Sequence, residues 1–354
     1  MPEKMGRFDE AKYGAIPPTW GSIRSDRSQG LFSGLIPLFP VVAYKKNLGF
    51  YLFCVTVVVG TCMGISRVDW LGVWFGLEVN LFRAIPLFLG SGSPREAESI
   101  LKYFLMQGVG SGMLLGGALI NLNYLGVIYV TSLLQVEISL IGVCLGIIIK
   151  AGLAPFHFWL PRVIRGLRWE ACFLLRVWQK VGPLLVIISF VEGIMGQALL
   201  VRGGFSSVIG GLGGFPQTQI RVLLGYSSIG HMGWLVAGGV YRILRAVIYF
   251  LLYAVIRRFL FYFLSVVRIT SYKRVCKIFG TVRIDYLLFL GILILRLAGL
   301  PPTIGFSIKW AVVLVVCSIK GFQTIIVLIL GSLLRLYYYT CLAFSWYLFR
   351  HSLV

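Results

Sequence analysis

From Leu48 to the C-terminus, apolar runs follow one another with only short polar connectors between them. A run of about 18 or more apolar residues is long enough to cross the hydrocarbon core of a bilayer as a helix. The pattern predicts such segments over Leu48–Ile65, Trp70–Gly90, Ile100–Leu119, Tyr124–Ile149, Ala171–Phe190, Ile220–Gly239, Leu244–Val267, Ile284–Leu300, Pro302–Ser318 and Phe322–Leu348. A broken segment over Lys150–Val163 and a glycine-interrupted one over Ile194–Leu212 complete the series. The short alternating strands of a membrane barrel do not occur. The expected fold is all-α, a polytopic transmembrane bundle of about eleven helices. Glycines throughout it allow close helix–helix contact. No room remains for a soluble domain.

Two places carry both glycine and proline inside apolar sequence. The first reads Lys150-Ala151-Gly152-Leu153-Ala154-Pro155-Phe156-His157, and the second Ala298-Gly299-Leu300-Pro301-Pro302-Thr303, with Lys309 soon after. Proline removes a backbone donor and kinks or breaks a helix. In lipid, the freed backbone groups survive only against protein or beside water. Two interrupted segments at separated positions point to inverted repeats around a site near the bilayer midplane.

Four ionisable side chains lie within these apolar runs. They are Glu78 in WFGLEVN, Lys150 before the first break, Lys180 in WQKVGP and Lys309 after the second break. A charge at the bilayer centre costs about 2.5–3.5 kcal/mol on insertion scales, and its default reading is an ion or proton path. The competing reading is a long side chain that snorkels to the interface from near a helix end, and Lys309 lies nearest such an end. Burial disfavours an ammonium and a nearby carboxylate favours it, so moving the carboxylate switches the lysine between holding and releasing a proton. Pushing one charge against roughly 150 mV costs about 3.5 kcal/mol, within what burial and pairing supply. His157 and His231, the latter in GYSSIGHMGW, are secondary candidates. Each is read equally well as a proton relay or as a packed, hydrogen-bonded structural histidine.

Composition sharpens this picture. Only 13% of residues are charged, against about 25% in soluble domains. The formal charge is nevertheless +21. Basic proteins often bind nucleic acid, but these cations are scattered through apolar runs and form no stripe, so nucleic acid is not an expected partner. Pairs such as Lys45-Lys46 and Lys273-Arg274 fit ordinary topology signals. The cysteines form no C-x-x-C and match no zinc, haem or iron–sulfur pattern, so they are expected to pack as small apolar residues, with no metal or cofactor held by the chain. Residues 1–44 are different material: polar, with Glu3, Asp9, Glu10 and Asp26 among the basic residues. That composition fits neither a mitochondrial presequence nor a signal peptide. The segment is expected to be a polar N-terminal extension whose one apolar piece, Leu31–Tyr44, is spoiled by Pro37 and Pro40. Read-through upstream of the true start would produce such a segment, which then is not native.

Taken together, WFGLEVN, KAGLAPFHFWLP, WQKVGP, GYSSIGHMGW and LAGLPPTIGFSIKW resemble the mitochondrial NADH dehydrogenase subunit 2 family, antiporter-like membrane subunits of respiratory complex I. The resemblance covers about residues 45–345, in order, and the compact length is similar to the animal, invertebrate form. It implies that residues 45–354 form an antiporter-like, proton-translocating membrane domain. It implies that Glu78 pairs with a lysine, that Lys150 and Lys309 belong to the two broken helices, and that Lys180 is the central lysine. A core multi-pass subunit of NADH:ubiquinone oxidoreductase in the mitochondrial inner membrane is then expected. Such a subunit acts within a translocase but has no redox centre of its own. Its partners would be the other membrane-arm subunits and the lipid bilayer, with NADH, FMN, iron–sulfur clusters and ubiquinone in partner subunits. The alternative is a stand-alone cation/proton antiporter of the same fold, and a third possibility is a purely structural assembly subunit.

Arg83, Arg168, Arg176, Arg257, Arg258, Arg296 and Arg335 depart from the family pattern, which usually has small or polar residues there, and Arg162 stands where a glutamate is common. If six to eight were buried, at about 3 kcal/mol each they would approach roughly 20 kcal/mol, beyond a typical domain's stability. Pairing is not expected to neutralise them, because the spans hold too few acids. The expectation is that some are serines, since many invertebrate mitochondrial codes read AGA and AGG as serine where the standard table gives arginine. The rival reading is true arginines that snorkel or line water.

Overall fold

The computed structural model describes residues 48–90, 92–125, 137–189, 194–240, 242–267, 271, 284–301 and 303–348. The extension expected over residues 1–44 lies outside the described residues. The chain forms α1 (Leu48–Ser66), α2 (Trp70–Phe88), α3 (Pro94–Leu125), α4 (Glu137–Ala151), α5 (Trp159–Gly166), α6 (Trp169–Arg176) and α7 (Trp178–Ser189). It continues with α8 (Ile194–Leu212), α9 (Ile220–Gly239), α10 (Ile243–Val267), α11 (Ile284–Ala298), α12 (Ile304–Ser318) and α13 (Phe322–Leu348). No strand forms among the described residues; Gln219 and Ser271 meet in an isolated bridge.

The polarity of the bundle is that of a protein dissolved in lipid. Leu52, Val55, Leu105, Leu251 and Leu314 face outward, while Lys150, Lys180, His231 and Lys309 are buried. Among the described residues, six stretches are long and apolar enough to cross a membrane: Gly49–Ser66, Trp70–Phe88, Pro94–Tyr124, Trp169–Ser189, Ile243–Val267 and Phe322–Phe344. Local signals set several helix starts. The Asp69 side chain accepts the Gly72 N–H at 2.7 Å, capping α2. Pro94 opens α3, where its missing N–H costs nothing, and Glu96 sits in the positive first turn.

Helix α9 is the axis of the bundle. All of its residues except Arg221 and Tyr226 are buried, and it packs against α5, α7, α8, α10, α12 and α13. Its small residues make this possible. A Cβ placed on Gly233 would lie 2.2 Å from the Gly203 carbonyl oxygen, and one on Gly210 would lie 2.5 Å from the Gly230 amide nitrogen. Helices α8 and α9 therefore touch backbone to backbone.

Both predicted breaks are present, and both are built on Ala-Gly-Leu. Helix α4 stops at Ala151, with Gly152 at φ +68°. The Gly152 N–H donates to Ile149 O at 3.1 Å and the Leu153 N–H to Ile148 O at 3.2 Å. This is the paired closure of a Schellman motif, which favours glycine at the left-handed position. Helix α11 stops at Ala298, with Gly299 at φ +79° and its N–H on Leu295 O at 3.1 Å, the single-bond version of the same stop.

Two expected boundaries change. The span expected over Tyr124–Ile149 does not start there: α3 runs on to Leu125 and α4 begins at Glu137. Asn121 is fully buried against the bundle and the helix continues through it. The span expected over Ala171–Phe190 is interrupted. Val177 separates α6 from α7 at φ −106° and ψ −67°. The Lys180 N–H reaches back three residues to Val177 O at 3.3 Å, and Pro183 inside α7 has no N–H for the carbonyl four residues before it. Counting α4 with α5 and α6 with α7 as single interrupted units leaves eleven units among the described residues, as expected.

The α8–α9 contact is open to test. Replacing Gly233 with alanine must push the two backbones apart, at a cost of about 1–3 kcal/mol. Gly108 has open space around its Cβ position, so Gly108→Ala is expected to be neutral or to stabilise by about 0.5–1 kcal/mol. Thermal unfolding of the purified protein in detergent should separate the two variants in that order.

Candidate functional site

Glu78 projects from the middle of α2 and Lys150 from the last turn of α4. Lys150 Nζ lies 2.9 Å from Glu78 Oε1, with side-chain exposures of 3% and 13%. That burial rules out snorkelling for Lys150. The same carboxylate oxygen accepts a hydrogen bond from Ser111 Oγ on α3. Ser111 Oγ in turn accepts the Trp74 indole N–H at 2.8 Å. Around the stop of α4, the Trp159 indole donates to Ile149 O at 3.1 Å, and the Gln107 amide lies 3.5 Å from Lys150 O.

Lys180 is buried at the start of α7, and its Nζ lies 3.3 Å from the Ser228 carbonyl on α9. Lys309 is buried in α12, and its Nζ donates to Ala298 O, at the end of α11, at 2.6 Å. A cation there meets the negative end of a helix. The Lys309 ammonium also lies 5.9 Å from the centre of the Trp234 ring. The nearness of Lys309 to a helix end thus reflects a tie across the second break rather than escape to the interface. Among the described residues, neither Lys180 nor Lys309 forms an ion pair.

Both candidate histidines, His157 and His231, are buried. His231 Nδ1 lies 2.9 Å from the Tyr249 hydroxyl, its ring is 5.0 Å from Tyr253, and its Nε2 has no hydrogen-bond partner among the described residues. His157 Nδ1 lies 3.1 Å from Pro155 O, which can only accept, so Nδ1 carries the proton.

Glu78 and Lys150 are thus in direct contact, whereas Lys180 and Lys309 stand apart from them. Neutral polar side chains bridge part of the interval. Gln179, next to Lys180, donates to Asn80 Oδ1 at 3.1 Å, and the Tyr103 hydroxyl donates to Gln179 Oε1 at 3.2 Å. Sequence reasoning passed over Asn80, Tyr103, Ser111 and Gln179. The available signal was that Asn80 and Gln179 sit inside the same short motifs as Glu78 and Lys180.

The arginines divide. Arg176, Arg257 and Arg335 are buried to within 1% exposure, an unpaired cost of about 3 kcal/mol each on insertion scales. Arg83, Arg162 and Arg296 are exposed and Arg258 is half-buried, so the expected set of six to eight buried cations shrinks. Arg168 also departs from expectation: its Nε lies 3.2 Å from Glu96 Oε1, so pairing does neutralise it.

Broken helices with lysines at their ends, buried in a bundle with an apolar exterior, define an antiporter-like membrane protein. Residues 68–335 match the family described as NADH:quinone oxidoreductase/Mrp antiporter, transmembrane, and the chain belongs to that family. It is 33% identical to NADH-ubiquinone oxidoreductase chain 2 of Sus scrofa over 290 residues, 82% of this chain and 83% of the relative. It is 34% identical to the chain 2 protein of Strongylocentrotus purpuratus over 310 residues, 86% of each. Among solved structures, a chain of respiratory complex I from Thermus thermophilus with bound aureothin superimposes with a TM-score of 0.77 at 23% identity, covering 86% of this chain and 71% of that one.

Removing one member of a buried ion pair leaves the other charge uncompensated, at about 3–5 kcal/mol. Lys150→Ala is therefore expected to lower the thermal midpoint of the purified protein. The double replacement Glu78→Gln with Lys150→Met should restore much of the loss, and differential scanning fluorimetry compares the two directly.

Proposed function

We propose that this chain is the chain 2 membrane subunit of a mitochondrial NADH–ubiquinone oxidoreductase, respiratory complex I. In this reading it is a multi-pass protein of the inner membrane and translocates protons, driven by electron transfer from NADH to ubiquinone elsewhere in the complex. The relatives named NADH-ubiquinone oxidoreductase chain 2 support the assembly. The observation that carries the proton-path reading is the Glu78–Lys150 pair, held at 2.9 Å inside an apolar exterior. The other membrane-arm subunits and the bilayer are its partners. NADH, FMN, iron–sulfur clusters and ubiquinone belong to partner subunits, and this chain contributes a translocase step without a redox centre.

In the mechanism, Glu78 stabilises the charged form of Lys150, and a change in their separation lets the lysine release its proton. The bridge through Asn80, Gln179 and Tyr103 leads toward Lys180, with water completing the hydrogen-bonded route. Lys180 and Lys309 place their amino groups against carbonyl oxygens rather than a carboxylate, so each loads and unloads a proton without leaving a lone carboxylate behind. His231 on α9 and His157 at the first break serve as secondary relays.

Glu78→Gln keeps the shape and removes the charge. In assembled complex I it is expected to slow NADH-driven proton translocation by about tenfold or more, the scale of a positioned acid–base group. Proton uptake into vesicles, measured beside NADH:quinone turnover, reads this out. Native translocation in the variant would exclude Glu78 from the path, and a chain that never co-purifies with NADH:quinone activity would exclude the assembly.

A further inference from the structure

We propose that Ser111 is a positioning residue for the Glu78–Lys150 pair, held as an obligate donor to the carboxylate by the indole of Trp74. The inference rests on the proton-path reading of Glu78. A serine hydroxyl has one proton to give and two lone pairs to receive, whereas an indole N–H can only donate. The Trp74 N–H, 2.8 Å from Ser111 Oγ, occupies a receiving position. The serine's own proton is directed to Glu78 Oε1, the same oxygen that meets Lys150. Trp74 and Glu78 lie one turn apart on α2, while Ser111 belongs to α3. The triad therefore clamps the carboxylate in register between two helices, and a shift of α3 along α2 would withdraw the donor from Glu78. The hydroxyl thereby fixes the carboxylate oxygen at the place where Lys150 meets it.

The test uses complex I assembled with Ser111→Ala, Ser111→Thr, Trp74→Phe or Glu78→Gln, and reads the pH profile of NADH-driven proton translocation beside NADH:quinone turnover. Ser111→Ala is expected to displace the acid limb of the profile by about one pH unit. Ser111→Thr keeps the hydroxyl and should return the limb to its native position. Trp74→Phe should shift it in the same direction by less, and it keeps the question open to measurement if Ser111→Ala fails to assemble. An unmoved limb in both Ser111→Ala and Trp74→Phe, with Glu78→Gln still defective, overturns the role of Ser111 alone. A native Glu78→Gln profile overturns the proton-path reading beneath it.

We also infer that positions 176, 257 and 335 carry serine in the functional protein, through AGA or AGG codons read as serine. The basis is the burial of three guanidinium groups among neutral partners. Arg257 Nη2 contacts Ser227 Oγ at 2.9 Å, Arg335 Nη2 contacts Ser207 Oγ at 3.1 Å, and Arg176 Nη2 contacts Arg221 O at 2.5 Å. Arg176 Nε and Nη1, Arg257 Nε and Arg335 Nη1 have no hydrogen-bond partner among the described residues, and no carboxylate there pairs with any of the three. A serine in each place brings no charge into the bundle, and its hydroxyl can bond a carbonyl of its own helix. Trypsin cuts after arginine and not after serine. Tryptic mapping of the purified chain by mass spectrometry should find peptides running uncut through all three positions, with serine masses. Arginine masses and cleavage there overturn the inference, as do CGN codons at those positions.

Discussion

A charge held in hydrocarbon has to be met by the protein itself, and the arrangement of this bundle follows from how three lysines are met. Lys150 has a carboxylate, Lys180 has a main-chain carbonyl of α9, and Lys309 has the last carbonyl of α11. A full opposite charge holds an ammonium far more firmly than a carbonyl dipole does. On the proposed path, the Glu78–Lys150 pair is therefore the station that must be actively opened, and the other two lysines are stations through which a proton passes with less rearrangement.

The two broken helices share a stop but use their lysines differently. At the first break the Trp159 indole bonds the Ile149 carbonyl and the Gln107 amide approaches the Lys150 carbonyl. The Lys150 ammonium is thereby left free to turn to Glu78. At the second break the ammonium itself reaches back to the Ala298 carbonyl. A Cβ on Gly299 would lie 2.7 Å from Lys309 Nζ, so glycine there both allows the left-handed turn and admits the cation. Releasing Lys309 would expose a helix-end carbonyl, whereas releasing Lys150 would expose a carboxylate.

Much of this was legible in the sequence, for identifiable reasons. A lysine or glutamate inside an apolar run stands out because its burial is costly, and Ala-Gly-Leu followed by proline announces a helix stop. Ser111 and Tyr103 were not legible, and Asn80 and Gln179 only through the motifs they share with Glu78 and Lys180, because a neutral polar residue in an apolar helix carries too little penalty to stand out. The interruption at Val177 was hidden because no breaker occupies it and Pro183 falls later, inside α7. The arginines were misjudged because hydropathy along a helix does not reveal which face a residue occupies. Arg83 and Arg296 point out of the bundle, while Arg257 and Arg335 point into it.

Helix α9 meets both Lys180 and Lys309 because it can be buried almost entirely. Its glycines let α8 lie against its backbone, which leaves its remaining faces to α5, α7, α10, α12 and α13. Along those faces it offers the Ser228 carbonyl to Lys180, the His231 ring to Tyr249 and the Trp234 ring to Lys309. A buried ring nitrogen without a partner is costly unless water serves it. The His231 Nε2 and the Trp234 Nε1 are in that condition, on the helix that also meets Lys180 and Lys309. Close packing against α8 on one side of α9 thus leaves its other faces to meet Lys180, Tyr249 and Lys309.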